Sequence, residues 1–513
     1  MAGLTGHAVG KDGLPPALGM YIHQHWAYNH PYASRTWTLD DWHGYLDGLS
    51  RLGYNMVLIW PMLETMPEPL TASDEENLRK IAAVIKLAHT KFSMRVNLVL
   101  CPNVSAKNEV ARQYPFEKRP FFTTDDRVDP ADPVALGRLV AWRERLLAPL
   151  AEADGVFVID SDPGGFPHST NLDFVYLLKT HRRMLDRLRP GIELVYWTHF
   201  GWEAYGRFYA TGELKRGEQS EPREAMQMLA REQVEPWSVA SSGFPPDLAD
   251  PIGMGDRVLG FPYGMIEREP SFPFTNFSYD RAYEAGQRKG ARGVMGNAQT
   301  HVVQLPHTFA FAQGAKGLPL ERRDLVDFAD QLIAGGGASI VSAWEVLQGD
   351  DAGQMDRAAA GLTALKKAGL RAGSLQGLLL GGAERFVDDL ILQLDANAAL
   401  VRFASAIKAN GADGQDIMET FSRFVDAISA WQARHGYRGN WRWPRMYEAL
   451  ERLDKAQINE VVATLVIVSK VGATPFDRVK NGLADLESYT HRLIRAMQDA
   501  RDEMRSRQRQ SRN

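Results

Sequence analysis

From Gly19 to Trp344 the chain alternates short apolar runs with amphipathic helical stretches, and this alternation limits the fold more than any other feature. Strands separated by helices cannot pair as hairpins. They form a parallel sheet covered by helices. Gly19 to Ile22 opens a strand that ends in His23-Gln24-His25-Trp26. Thr38 caps the next helix, with Asp41 at its third position and Leu39, Trp42, Leu46 and Leu49 at helical spacing. Tyr54 to Trp60 is the second strand, and Ser73 with Glu76 reads as the capping box of the following helix. Met94 to Cys101 is the third strand, followed by a long loop to Asp132 and a helix from Pro133 to Ala153.

The fourth strand is Val156-Phe157-Val158-Ile159, which runs into Asp160-Ser161-Asp162-Pro163-Gly164-Gly165. Pro-Gly-Gly cannot continue a regular strand. Further strand candidates are 191–197, 236–240, 257–263, 293–298 and 338–344. That is nine candidates for the eight positions of a (β/α)8 TIM barrel, so either 236–240 or 338–344 is surplus. A doubly wound open sheet is the alternative. No Gly-rich phosphate loop follows the first strand, which counts against it; no cofactor is expected. The expected fold class is therefore α/β, a (β/α)8 barrel over residues 1–349. After Gly349 strand signals stop, and Ala, Leu, Arg and Glu dominate helical patterns to the end. Residues 350–513 read as an α-helical C-terminal domain that could also pair two copies of the chain. Within it, Gly436 to Pro444 is a loop rich in aromatic and guanidinium groups, read as packing between helices.

Bulk properties exclude several classes. With 44% apolar and 24% charged residues, the 513-residue chain is globular with a sizeable core. A net charge of −4 without a basic block in the body argues against a nucleic-acid partner. The arginines at 501, 505, 507, 509 and 512 read as a fraying, solvated helix end. One cysteine, Cys101, excludes an internal disulfide framework and a Cys-rich zinc site. No stretch reads as the roughly 18 apolar residues needed to cross a membrane. As given, the chain reads as cytoplasmic.

The chemistry-bearing residues gather at predicted strand ends. Side chains two apart on a strand share a face, so Asp160 and Asp162 could both enter the cavity where barrels place acid–base chemistry. The structural reading is that one Asp caps a helix and the other holds the turn. Trp26, Trp60, Trp197, Trp202, Tyr263 and Trp344 lie at or just past strand C-termini, where rings suit the C–H faces of sugars. Tyr21, His23, His25, Asn97, Asn103, His199, Asn297, Gln299, His301 and Glu345 supply polar partners for hydroxyl groups. Glycoside hydrolysis needs a carboxylic acid to protonate the leaving oxygen and a second group across the anomeric carbon. Asp162 is the candidate acid. Glu267, in a loop after a late strand, is the candidate base or nucleophile, or else an ion-pair partner of Arg268 or Arg292. Asp160 would hold a sugar hydroxyl or raise the pKa of Asp162 by like-charge repulsion. A competing reading uses His23 and His25 with His199 and Asp160 as ligands of a divalent metal, as in metal-dependent amidohydrolases. A non-catalytic carbohydrate-binding barrel is the third.

Several motifs resemble the barrel glycosidases of the α-glucuronidase family and, more loosely, β-hexosaminidase-type barrels. The opening from Gly19 to Trp60 is similar to both groups. Ser161-Asp162-Pro163-Gly164-Gly165 is similar to the segment that carries the α-glucuronidase general acid, a Glu in that family, and the resemblance implies the acid role for Asp162. Arg268-Glu269-Pro270, followed by Ser271 and Pro273-Phe274, resembles that family's Arg-Glu-Pro loop and implies a substrate contact for Arg268. Gln299-Thr300-His301 resembles part of a later segment. The family's base carboxylates fall on Gly264 and Val294 here, so neither carries over. The resemblance implies a glycosidase-like barrel acting on carbohydrate.

Overall fold

The computed structural model describes residues 15–24, 28–119, 125–161, 163–213, 220–232, 234–241, 249–267, 272–275, 277–409 and 414–436, together with 498, 501–502, 505–506 and 509–510. Ten strands are present among them. They are β1 (Ala17–His23), β2 (Met56–Trp60), β3 (Arg95–Leu100), β4 (Val104–Ala106), β5 (Asp125–Arg127), β6 (Gly155–Ile159), β7 (Glu193–Thr198), β8 (Trp237–Ser241), β9 (Val258–Gly260) and β10 (Gly293–Ala298). Eight of these close a parallel barrel in the order β1-β2-β3-β6-β7-β8-β9-β10, and β10 returns to pair with β1 from Ala17 opposite Gly293 to Ile22 opposite Ala298. The fold is therefore a (β/α)8 barrel. The two remaining strands form an antiparallel hairpin, β4 against β5, inside the long loop after β3.

The surplus strand candidate is settled by this topology. Residues 237–241 occupy the sixth barrel position, whereas 338–344 fall within the helix Gly337–Val346. Their run of small and apolar residues is buried either way, and periodicity alone does not separate a buried strand from a buried helix. Capping chemistry sets the helix starts. Thr38 and Asp41 form the expected capping box of Leu39–Arg51. For Ala72–Phe92 the box is Thr71 with Asp74, two residues ahead of the expected pair. Ser73 instead hydrogen-bonds Thr71 and accepts the Phe116 N–H.

Beyond β10 the described chain is helical. Leu305–Lys316, Arg322–Leu332 and Gly337–Val346 lead into Ala352–Ala368, Ala383–Lys408 and Gly414–His435. The stretch Ala383–Ile407 is long and apolar enough by composition to cross a membrane, contrary to the expectation that no segment is. Its apolar face is a core face here: Val387, Leu390, Leu394 and Phe403 are buried, and Phe403 packs on Phe421 and Phe424 of the next helix. The basic tail also departs from the solvated reading. Arg501 and Arg505 pair with Asp426, and Gln498 Nε2 donates to Ser429 Oγ at 2.8 Å, so these described residues lie against Gly414–His435. The loop 437–444, expected to pack between helices, and the helices expected over 444–453, 458–471 and most of 477–504 lie outside the described residues.

Candidate active site at the barrel mouth

Strand register decides which side chains enter the barrel. Tyr21 is level with Leu58 on one side and Asn297 on the other, and Ile159 is level with Trp197, which is level with Ala240. The inward set therefore includes Tyr21, His23, Trp60, Asn97, Trp197, Phe261 and Asn297. These residues build an aromatic floor. Tyr21 meets Trp197 edge-on at 5.2 Å and Phe261 at 5.7 Å, and lies parallel to Trp60 at 6.5 Å. Asn97 fits inside the barrel because Gly155 faces it: a Cβ at Gly155 would come within 2.6 Å of Asn97 Oδ1.

Three rings stand above the floor. His23 lies 4.2 Å from Tyr21, 5.9 Å from Trp60 and 6.4 Å from Tyr263. His199 lies 6.1 Å from Tyr263 and 6.4 Å from Trp197. Gln299 Nε2 donates to the Tyr263 hydroxyl at 3.2 Å. His199 and Tyr263 are half-buried, so their rings border open space at the strand ends, while His23 is buried. Burial, reinforced by neighbouring His301, holds the His23 imidazole well below its ordinary pKa, so it is neutral at physiological pH. The structure thus brings Tyr21, His23, Trp60, Trp197, His199, Tyr263 and Gln299 to one mouth. His25, Trp26, Asp162 and Arg268 lie outside the described residues.

Three carboxylates at strand ends share one architecture that the sequence did not reveal. Each reaches sideways to the end of the next barrel strand and accepts its backbone N–H groups. Glu64, four residues past β2, accepts the N–H of Cys101 after β3 and the indole N–H of Trp60. Asp160, at the end of β6, accepts the N–H groups of His199 at 3.1 Å and Gly201 at 3.2 Å, plus the hydroxyls of Ser161 and Tyr196. Glu267, past β9, accepts the N–H groups of Gln299 at 2.5 Å and Thr300 at 2.6 Å, and faces the Thr300 hydroxyl at 2.6 Å.

Two residues expected in catalytic roles have these surroundings. Asp160 was expected to share the cavity with Asp162. Instead its carboxylate lies on the outer side of β6 with Tyr196, whose ring packs on Phe174 of the covering helix Asn171–Leu188, and it is fully buried. Burial raises its pKa against the pull of Ser161, His199 and Gly201. Glu267 was expected as a base or nucleophile, or else as an ion-pair partner of Arg268 or Arg292. It is buried, with both oxygens committed to the turn after β10. Burial pushes its pKa up to about 7 despite those donors and the Gln304 side chain. The Thr300 hydroxyl can accept as well as donate, so the site satisfies either protonation state of Glu267.

Other expected contacts are also relocated. Asn297 is fully buried and pins the β9 turn: its Oδ1 accepts the Gly264 N–H at 2.7 Å, and its Nδ2 donates to the Glu267 carbonyl at 2.7 Å. His301 sits behind the mouth against Trp37, with Nδ1 2.6 Å from the Tyr45 hydroxyl, and burial lowers its pKa to about 3. Trp344 and Glu345 follow no strand. Trp344 is core, stacked on Phe328, and Glu345 pairs with Arg322 at the surface. Trp202 likewise packs outward on Phe174. The metal-site grouping loses Asp160 for the same geometric reason, and among the described residues no three His, Cys, Asp or Glu side chains converge.

The segment after β6 is wedged from both sides. Asn103 Nδ2, fully buried, donates to the Gly165 carbonyl at 3.0 Å and to the Val128 carbonyl at 2.9 Å, tying this segment to the end of the β4–β5 hairpin. Gly165, at φ 87°, leaves no room for a side chain: a Cβ there would lie 2.8 Å from Tyr205 Cβ in the helix Trp202–Thr211.

No family model matches the chain, and no curated protein does. Solved structures align with it at low identity. One is a GH138 enzyme targeting pectin rhamnogalacturonan II, at 9% identity and TM-score 0.47, covering 97% of this chain and 84% of that one. Another is a family 89 glycoside hydrolase from Clostridium perfringens, at 10% identity and TM-score 0.48, covering 95% of this chain and 64% of that one. An N-acetylneuraminate lyase from Aliivibrio salmonicida aligns at 11% identity and TM-score 0.33, over 75% of this chain and 98% of its own. The fold assignment rests on the chain's own closed ring of eight parallel strands, which makes this protein a (β/α)8 barrel extended by a helical C-terminal region.

Proposed function

We propose that the chain is a glycoside hydrolase that cleaves a glycosidic bond in an oligosaccharide or glycoconjugate, with Asp162 as the general acid. The mouth carries this reading. The half-buried rings of His199 and Tyr263 stand at the strand ends over a buried layer of Tyr21, Trp60, Trp197 and Phe261, with Gln299 bonded to the Tyr263 hydroxyl. A partly open aromatic ring with hydrogen-bonding groups beside it is what a pyranose requires, since its C–H faces are apolar and its edges are hydroxylated. In the sequence Asp162 follows the last residue of β6, Ile159, by three positions, between Ser161 and Pro163. A carboxylic acid there would protonate the departing oxygen as the glycosidic bond breaks. Glu267 is assigned a positioning role: it fixes the turn that presents Gln299 beside Tyr263. The group acting across the anomeric carbon is left unassigned.

The test is turnover of a panel of aryl glycosides and natural oligosaccharides by the purified protein, with Asp162→Asn beside it. Release of sugar by the wild type and its loss in the variant supports the proposal. Glycan binding without turnover would replace it with a carbohydrate-binding protein. Chelator-sensitive hydrolysis of amides, with a stoichiometric metal, would replace it with a metal-dependent hydrolase.

A further inference from the structure

Two loops of the mouth converge on a single node in the helical region. Chain leaving β1 is held at Asn29, whose N–H donates to the His435 carbonyl at 2.8 Å, and at Tyr32, whose hydroxyl donates to Asp389. Chain leaving β9 is held at Phe272, whose ring lies 4.6 Å from His435 and 5.5 Å from Tyr32. The carbonyl of the next residue, Pro273, accepts from Asn397 Nδ2 at 2.8 Å. Asp389, in Ala383–Lys408, is itself paired with Arg385 at 2.7 Å and Arg434 at 2.5 Å, and lies 3.7 Å from His435 Nε2. Tyr32, Phe272, Asp389 and His435 are all buried. β1 and β9 are the two neighbours of β10 in the barrel, so the node clasps one continuous side of the mouth.

We propose that this node is a positioning device: Asp389 and His435 of the helical region set the conformation of the β1 and β9 loops, making the helices a working wall of the barrel mouth. A buried carboxylate that accepts hydrogen bonds from Tyr32 and Arg385 and is ion-paired with Arg434 couples these groups, so that removing one member weakens the hold of the others. Loosening it therefore releases both loops together. The proposal stands independently of the reaction catalysed, because it concerns how the loops are held.

The experiment is hydrogen–deuterium exchange on the full chain without substrate, comparing wild type with Asp389→Asn and with the milder Tyr32→Phe. Peptides spanning β6 and β7 report that the barrel remains folded. The expected result is exchange about tenfold faster in both 28–33 and 272–275 in each variant, with β6 and β7 unchanged. Faster exchange confined to 383–436, or in only one of the two loops, would overturn it. If Asp389→Asn unfolds the barrel, the Tyr32→Phe result decides alone. Failure to find glycosidase activity would leave this measurement untouched, and failure here would leave the glycosidase proposal standing.

Discussion

Asp160 holds His199 by its backbone: the carboxylate on the outer side of β6 accepts the His199 N–H at 3.1 Å, while the imidazole stands half-exposed beside Tyr263 in the mouth. A residue expected to do chemistry thus sets the geometry of one expected to touch substrate. Replacing Asp160 with Asn keeps one acceptor oxygen for the N–H groups of His199 and Gly201, but puts an amide N–H₂ at Oδ2, where the Tyr196 hydroxyl and the His199 N–H donate, and removes the charge that strengthens all of these bonds. We expect Asp160→Asn to lower unfolding free energy by about 2–4 kcal/mol, read by chemical denaturation. A change within about 0.5 kcal/mol would show that those bonds are not limiting.

Glu267 gives the chain a specific pH dependence. Its pKa is about 7 when folded, against an ordinary 4.5. The native state therefore binds the proton more tightly than the unfolded state between those values. Its contribution is fully present below about pH 4.5 and is lost as pH rises through 7, up to about 3 kcal/mol in all. Denaturation curves at pH 5 and pH 8 should show a stability loss with rising pH that Glu267→Gln reduces. Equal slopes in both proteins would contradict the assignment.

Tyr45 and His301 form a hydrogen bond behind the mouth, 2.6 Å long and buried. Tyr45→Phe strips His301 Nδ1 of that partner at a cost of about 1–3 kcal/mol in stability. Glycan affinity should stay unchanged, because both side chains are fully buried. Isothermal titration on the folded variant checks this, and a tenfold affinity loss would return His301 to the binding surface.

Tyr263 should behave in the opposite way. It is half-buried, and its hydroxyl accepts from Gln299. Tyr263→Ala should weaken sugar binding by about tenfold or more while shifting stability by less than about 1 kcal/mol. A large stability loss with unchanged affinity would mark it as core.

Much of the barrel was legible because its signals are local. Capping boxes, continuous apolar runs and Pro-Gly breaks lie within a few residues of one another, and they set β1, β2, β3, β6, β7 and β10 to within a residue or two. The surplus strand was not legible: 338–344 is buried as a helix, and burial is all that its composition reports. Nor was the direction of Asp160. The parity argument from Asp162 assumed a continuing strand, whereas the Asp160 carboxylate answers to N–H groups at the end of β7, 39 and 41 residues later in sequence. Glu64 and Asn103 were passed over or undervalued for the same reason: each is a polar residue in an apolar turn whose partners come from another strand. The node of Asp389 and His435 joins residues more than 350 positions from Tyr32, as Tyr32 and Asp389 show, and no local pattern announces it.

The central claim is that Asp162 is the proton donor in glycoside cleavage, and its most direct test is the rate of Asp162→Asn on two substrates that differ only in leaving group. A natural alkyl or sugar leaving group needs protonation, whereas an activated aryl group needs it far less. The account predicts a fall of about 10²–10⁴-fold on the natural substrate and a much smaller one on the activated aryl glycoside. Equal rates for wild type and variant on the natural substrate would contradict it.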